Sequence, residues 1–128
     1  MNYSIEILND PRVMHVTMHE GFQQEDFADH VRDVWRTLDS LEEPLYQIID
    51  IRGVELSFDD VMEFLRVAVR GEHPLPSHPM NRGNLVVTDS RLYQLVIKGL
   101  RTASFGNISI HAYESLDAAL HWVYRQAA

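Results

Sequence analysis

The segment Asp50-Ile51-Arg52-Gly53-Val54-Glu55-Leu56-Ser57-Phe58-Asp59-Asp60 concentrates the most suggestive chemistry of the chain. An apolar run ends in a carboxylate and a guanidinium. A glycine follows, and a serine then opens a stretch with two adjacent acids. Ser57 can cap a helix by accepting a backbone N–H, with Asp60 three residues on in the capping-box position and Asp59 favouring the positive end of the helix dipole. Capping alone accounts for these residues. The alternative is an acidic attachment point for a basic partner. Thr88-Asp89-Ser90 and Ser115-Leu116-Asp117 have the same cap-like character.

The histidines give less. His15 and His19 fall on one face of a predicted strand but roughly 13 Å apart, too far to share a metal ion. His73 and His78 stand in the Pro-rich stretch from Gly71 to Asn84, where ligand contact and simple connection are both open. His30, His111 and His121 have no evident partner in sequence. With no cysteine, a disulfide framework, a thiolate zinc site and a thiol nucleophile are excluded. Phosphate-cradling glycine loop, nucleophile elbow and zinc-protease helix are all missing. The expectation is a protein without catalytic residues, metal or cofactor.

Hydrophobic periodicity supplies the elements that position these groups. Tyr3, Ile5 and Ile7, then Met14, Val16 and Met18, alternate with polar residues around the turn signal Asn9-Asp10-Pro11-Arg12, which predicts an antiparallel hairpin. Phe27, Val31, Val34, Trp35, Leu38 and Leu41 share one helical face, and Pro44 ends that helix. Leu45 to Ile51 reads as a strand covered on both faces. Phe58, Val61, Met62, Leu65, Ala68 and Val69 predict a second helix, Leu85-Val86-Val87 a short strand, and Leu92, Leu95, Val96, Leu100 and Ala103 a third helix. After Gly106-Asn107, Ile108 and Ile110 mark a last strand, which can lie at a sheet edge and leaves a homodimer open. Leu116, Ala119, Leu120 and Val123 close the chain with a helix. The order β-β-α-β-α-β-α-β-α calls for an α/β fold, a five-stranded mixed sheet with an N-terminal antiparallel hairpin and four helices, in a single domain over 1–128.

In such a sheet, ligands collect at the carboxyl ends of the strands. That edge gathers Asp50, Arg52 and Gly53 with Thr88, Asp89 and Ser90. Three helix N-termini point the same way, which favours an anionic or hydrogen-bonding ligand.

The net charge of −8 argues against nucleic-acid binding and against an anionic membrane surface. No apolar run approaches the ~20 residues that span a bilayer, and no signal peptide opens the chain, so stable membrane insertion is not expected and a cytoplasmic protein is. The charge is uneven: residues 20–63 carry 13 acids against 3 arginines, whereas residues 64–128 carry 4 acids against 7 bases. Solvated helix faces explain this, as does an acidic surface for a basic protein partner.

Two patterns carry a family resemblance. Ile48-Ile49-Asp50-Ile51-Arg52-Gly53-Val54 is similar to a strand leading into a D-L-x-G-V-type loop. Ile108-Ser109-Ile110-His111-Ala112-Tyr113-Glu114-Ser115-Leu116-Asp117-Ala118-Ala119-Leu120-His121-Trp122-Val123 is similar to a closing strand and an A-L-x-W-L-like helix. With the element order, these resemble the SpoIIAA-like (STAS/SEC14-like) branch of the STAS superfamily. The resemblance implies a mixed sheet with four helices, no catalytic machinery and a regulatory role through protein docking. Relatives that antagonise anti-sigma factors carry a phosphorylatable serine at the start of the helix after the third strand. Asp59 stands at the matching position, Val61 replaces the glycine of the D-S-x-G pattern, and Ser57 lies two residues too early. The resemblance therefore implies a fixed charge at Asp59 where relatives gain one by phosphorylation.

Two functions follow as expectations. One is a non-enzymatic interaction module that docks a partner through Asp50, Arg52, Gly53, Ser57, Asp59, Asp60, Thr88, Asp89 and Ser90. The other, implied by SEC14-like relatives, is a carrier or sensor of a small apolar or anionic ligand. Phe27, Trp35, Phe64, Met62 and Leu65 either line its cavity or fill the core. An unrecognised hydrolase or isomerase would need a cleft with perturbed titratable groups.

Overall fold

A computed structural model of the chain describes residues 2–100 and 109–127. The strands are β1 (Tyr3–Asn9), β2 (Arg12–Met18), β3 (Leu45–Asp50), β4 (Asn81–Val87) and β5 (Ile110–Tyr113). The helices are α1 (Phe27–Asp39), α2 (Phe58–Arg70), α3 (Arg91–Leu100) and α4 (Leu116–Ala127). The five strands form one sheet in the order β1-β2-β3-β4-β5. β1 and β2 pair antiparallel, and every later neighbour is parallel. The α/β fold with its mixed sheet and four helices is the predicted one, and β5 lies at an edge as expected.

Side-chain alternation divides the sheet into two packed faces. On one face Met14, Val16, Met18, Leu45 and Ile49 meet Phe27, Val31, Val34 and Leu38 of α1 and Phe64 and Ala68 of α2. Val86 and Ile110 continue that face against Ile97 of α3. On the other face Val13, Ile48, Leu85 and Val87 pack against Ala119 and Val123 of α4. β3 contributes to both cores, which is why its sequence is a near-continuous apolar run.

Three sequence expectations need correction. β4 begins at Asn81 rather than Leu85, so the preceding connection is shorter and holds a 3-10 turn at Leu75–Ser77. Its first residues are polar or glycine because that end packs tightly: a Cβ on Gly83 would lie 2.9 Å from Ser109 Oγ and 3.0 Å from the Tyr46 ring. α1 starts at Phe27 after a 3-10 turn at Gln24–Asp26 and ends at Asp39, before Leu41.

The third correction concerns the stripes of α2 and α3. Phe58 and Met62 are exposed at 47% and 40%, and Leu92 and Leu95 at 51% and 68%. α2 buries Val61 and Ala68 of the predicted stripe together with Phe64, and α3 turns Ile97 inward. A helix that covers the margin of a sheet buries only part of its apolar arc, and periodicity alone does not say which part. The expectations for Ala103, Gly106, Asn107 and Ile108 fall outside the described residues.

Candidate functional site

Parallel pairing of β2, β3, β4 and β5 brings the starts of all four helices to the carboxyl edge of the sheet. The serines behave as the local sequence predicts. Ser57 Oγ accepts the Asp60 N–H at 3.0 Å while an Asp60 carboxylate oxygen accepts the Ser57 N–H at 3.1 Å, closing the capping box of α2. Ser90 Oγ accepts the Tyr93 N–H at 3.3 Å at the start of α3, and Ser115 Oγ accepts the Ala118 N–H at 3.1 Å at the start of α4. Thr88 is buried, and its Oγ1 accepts the Ser90 N–H at 3.2 Å.

Asp50, the last residue of β3, is also buried. Its Oδ1 accepts the Arg52 backbone N–H at 3.1 Å and the Arg52 Nε–H at 3.0 Å, and its Oδ2 accepts from Arg52 Nη2 at 2.8 Å. Burial pushes the Asp50 carboxyl upward, but the Arg52 hydrogen bonds and charge outweigh it and hold the group below its ordinary value. His15 Nε2 lies 4.0 Å from Asp50 Oδ2 and 3.4 Å from Thr17 Oγ1. Asp50 and Thr88 thus act from beneath the surface, and Arg52, Gly53, Ser57, Asp59 and Asp89 are the exposed members of the set.

The exposed members do not form one patch. Arg52, Gly53 and Asp60 line an open groove of about 790 Å³, whose opposite wall is Glu20, Gly21, Phe22 and Gln23 from the loop after β2. Gln24 bridges the walls, its Nε2 donating to Asp60 Oδ1 at 2.7 Å. That bond, with the Ser57 contacts, lowers the Asp60 pKa. Ser57 and Ser90 share a shallower hollow with Val54, Glu55, Leu56 and Tyr93. Asp89 and Asp117 both act on the Arg52 charge. Asp59 stands outside both hollows, exposed in the first turn of α2.

Sequence reasoning missed Glu20, Phe22, Gln23 and Tyr93. The signal was present: β2 runs parallel to β3, so the loop after β2 must emerge at the same edge. Extending the carboxyl-end rule to β2 brings Glu20, Phe22 and Gln23 to that edge, where Tyr93 stands in the first turn of α3.

A second, apolar cavity of about 70 Å³ lies on the helix-covered face beneath α2 and α3. Leu65, Val69, Val86, Tyr93, Ile97 and Ile110 are among its walls. Of the five residues proposed for such a space, Phe64 and Leu65 line it; Phe27 and Trp35 pack within the α1 core, and Met62 is exposed. Leu56 and Tyr93 belong to both this cavity and the Ser57–Ser90 hollow, and the Tyr93 hydroxyl donates to the Leu56 carbonyl.

The histidines hold structure together. His78 is buried, its Nδ1 accepts the Met80 N–H at 3.0 Å, and its Nε2 donates to Asp39 Oδ1 at 2.7 Å. Trp35 packs against the His73 and His78 rings, so this loop is pinned to α1 as a connection. His19 Nε2 lies 3.1 Å from Ser4 Oγ. Among the described residues no three His, Asp or Glu side chains cluster to hold a metal ion. None of the described helices is long and apolar enough to cross a membrane.

Solved structures share this fold. An uncharacterised DUF3478-family protein with a SpoIIAA-like fold from Shewanella loihica PV-4 matches with a TM-score of 0.64 at 15% identity, over 95% of this chain and 94% of that one. An anti-sigma factor antagonist from Mycobacterium paratuberculosis matches with a TM-score of 0.54 at 16% identity, over 94% and 93%. The chain therefore has the SpoIIAA-like fold that its sequence resembles. No family model and no curated protein matches it.

Proposed function

We propose that this protein is a non-enzymatic, cytoplasmic regulatory module that docks a protein partner with a basic surface through the loop and helix start after β3. The observation that carries this reading is the construction of that corner. Exposed Glu20 and Glu55 and half-buried Asp60 line a groove held by the Asp50–Arg52 grip and the Gln24–Asp60 bridge, and Asp59 adds an exposed charge in the first turn of α2 outside it. A rigid acidic rim recognises a basic partner with little ordering cost, and the field speeds encounter. The similarity to an anti-sigma factor antagonist supports the same reading. In it, Asp59 is a permanent negative charge at the position where relatives are phosphorylated.

A photo-crosslinking residue at position 55 tests this in cells. The expected result is capture of one partner through a Lys/Arg-rich segment, abolished by Asp59→Lys. Capture unaffected by charge reversal sinks the reading.

The apolar cavity supports a second reading, carriage or sensing of a small, mainly apolar ligand. Native mass spectrometry of freshly purified protein showing a retained mass is its test.

A further inference from the structure

Of the five large apolar side chains exposed among the described residues, four stand on α2 and α3: Phe58 and Met62, Leu92 and Leu95. Phe58, Met62, Leu65 and Val69 are spaced i, i+4, i+7 and i+11, so they form one stripe along α2, about 16 Å long at the helical rise. Leu65 and Val69 line the apolar cavity, and Phe58 and Met62 carry the same stripe out to solvent. α1 packs against α2 through Phe27 and Phe64, which is off this stripe. The Tyr93 hydroxyl donates to the Leu56 carbonyl and ties the start of α3 beside the start of α2, so Phe58 and Leu92 stand at the same end of the face. The charges beside the stripe are sorted along the helix, with Asp59 and Glu63 in its first half and Arg66 and Arg70 in its second. Glu63 and Arg66 pair with each other at 2.6 Å and 3.0 Å. Asp59 and Arg70 have no ion-pair partner among the described residues.

We infer that this face pairs with a second copy of the chain, the two α2 helices running antiparallel about a two-fold axis near Phe64. The inference goes beyond the docking reading and stands without it. A contiguous exposed apolar patch marks an interaction surface, and the charges name its occupant. In the antiparallel pair Asp59 of each copy approaches Arg70 of the other and Glu63 approaches Arg66, so the face is its own electrostatic complement. The two charges left over in one chain, Asp59 and Arg70, are the ones the second copy satisfies. A parallel pair brings the acidic ends of both helices together and the basic ends together, which is repulsive. A stripe of this length and about 10 Å wide falls short of the roughly 800 Å² per partner of a standard interface. Leu92 and Leu95 of α3 widen the face, and the dimer is a weak, reversible one. Asp59 also belongs to the acidic corner, so a second copy and a basic partner exclude each other there.

Sedimentation equilibrium of the full chain over a wide concentration range tests this. The expected result is a monomer–dimer equilibrium that weakens with added salt. Met62→Ser, at an exposed position, raises the dissociation constant at least about tenfold and leaves the circular-dichroism spectrum of the monomer unchanged. Asp59→Arg and Arg70→Asp each set like charges together at both symmetry-related contacts and weaken self-association about tenfold. A one-to-one mixture of those two variants restores one attractive pair of each sense and dimerises about as tightly as wild type. A general loss of stability in either variant does not produce that rescue. A chain that stays monomeric throughout, a dimer indifferent to Met62→Ser, or a mixture no tighter than either variant alone overturns the inference, and each leaves the docking reading standing.

Discussion

The Arg52 guanidinium grips the Asp50 carboxylate at two points, 3.0 Å from Nε to Oδ1 and 2.8 Å from Nη2 to Oδ2, with the aspartate buried and the arginine exposed. The pair fixes where the chain leaves β3 and so where Gly53 to Asp60 begins. Removing the arginine leaves a buried carboxylate held by one backbone N–H. Arg52→Met should cost about 1–3 kcal/mol in urea unfolding. Asp50 is held below its ordinary pKa, so it contributes stability above the unfolded value that is lost as pH falls through the folded one. That acid-side slope should shrink in Arg52→Met.

His30 carries a second pH dependence, of different origin. It is buried among Tyr3, Phe22 and Phe64, with neither ring nitrogen paired among the described residues, and desolvation lowers its pKa from 6.5 to about 4. Between these values the unfolded chain binds the proton and the folded chain does not, so stability rises with pH. At roughly 1.4 kcal/mol per pKa unit, up to about 3 kcal/mol is lost on going from pH 7 to pH 4. In His30→Phe that part of the profile should flatten, and melting temperature measured across pH 4–7 reads it.

Capping and docking separate at neighbouring residues. Ser57→Ala removes the acceptor of the Asp60 N–H and should cost about 1 kcal/mol of stability. Asp59→Ala or Asp59→Ser touches no such bond. Each should leave the melting temperature nearly unmoved while weakening the partner. A loss confined to stability would return Asp59 to a dipole role.

Gly83 offers a packing test remote from the acidic corner. Gly83→Ala sets a methyl 2.9 Å from Ser109 Oγ and 3.0 Å from the Tyr46 ring, over which the Arg82 guanidinium lies 5.2 Å from the centroid. The ring cannot yield as a flexible side chain would. The expected cost is about 1–3 kcal/mol by chemical unfolding.

What the sequence could disclose followed the range of the forces involved. The caps at Ser57, Ser90 and Ser115 were legible because each is made within three residues. The succession of strands and helices along the chain, and the mixed sheet with its antiparallel start, followed from alternation and crossover rules. The groove was not legible, because its walls, Glu20–Gln23 and Arg52–Glu55, lie about thirty positions apart and meet only through the parallel β2–β3 pairing. Leu92 and Leu95 read as core because their spacing fits a helical stripe, yet α3 covers the margin of the sheet and leaves both outside. Gln47 was hidden in plain view within the run Leu45 to Ile51, where one amide among apolar neighbours gives no hint that it is unpaired.

The central claim is that the acidic corner after β3 is the attachment point for a partner. The affinity of the captured partner for wild type and for the Glu55→Gln, Asp59→Asn double variant tests it most directly by titration calorimetry at two salt concentrations. The account predicts at least about tenfold weaker binding, a reduced salt dependence and an unchanged melting temperature. Equal affinity and equal salt dependence in the two proteins would contradict it.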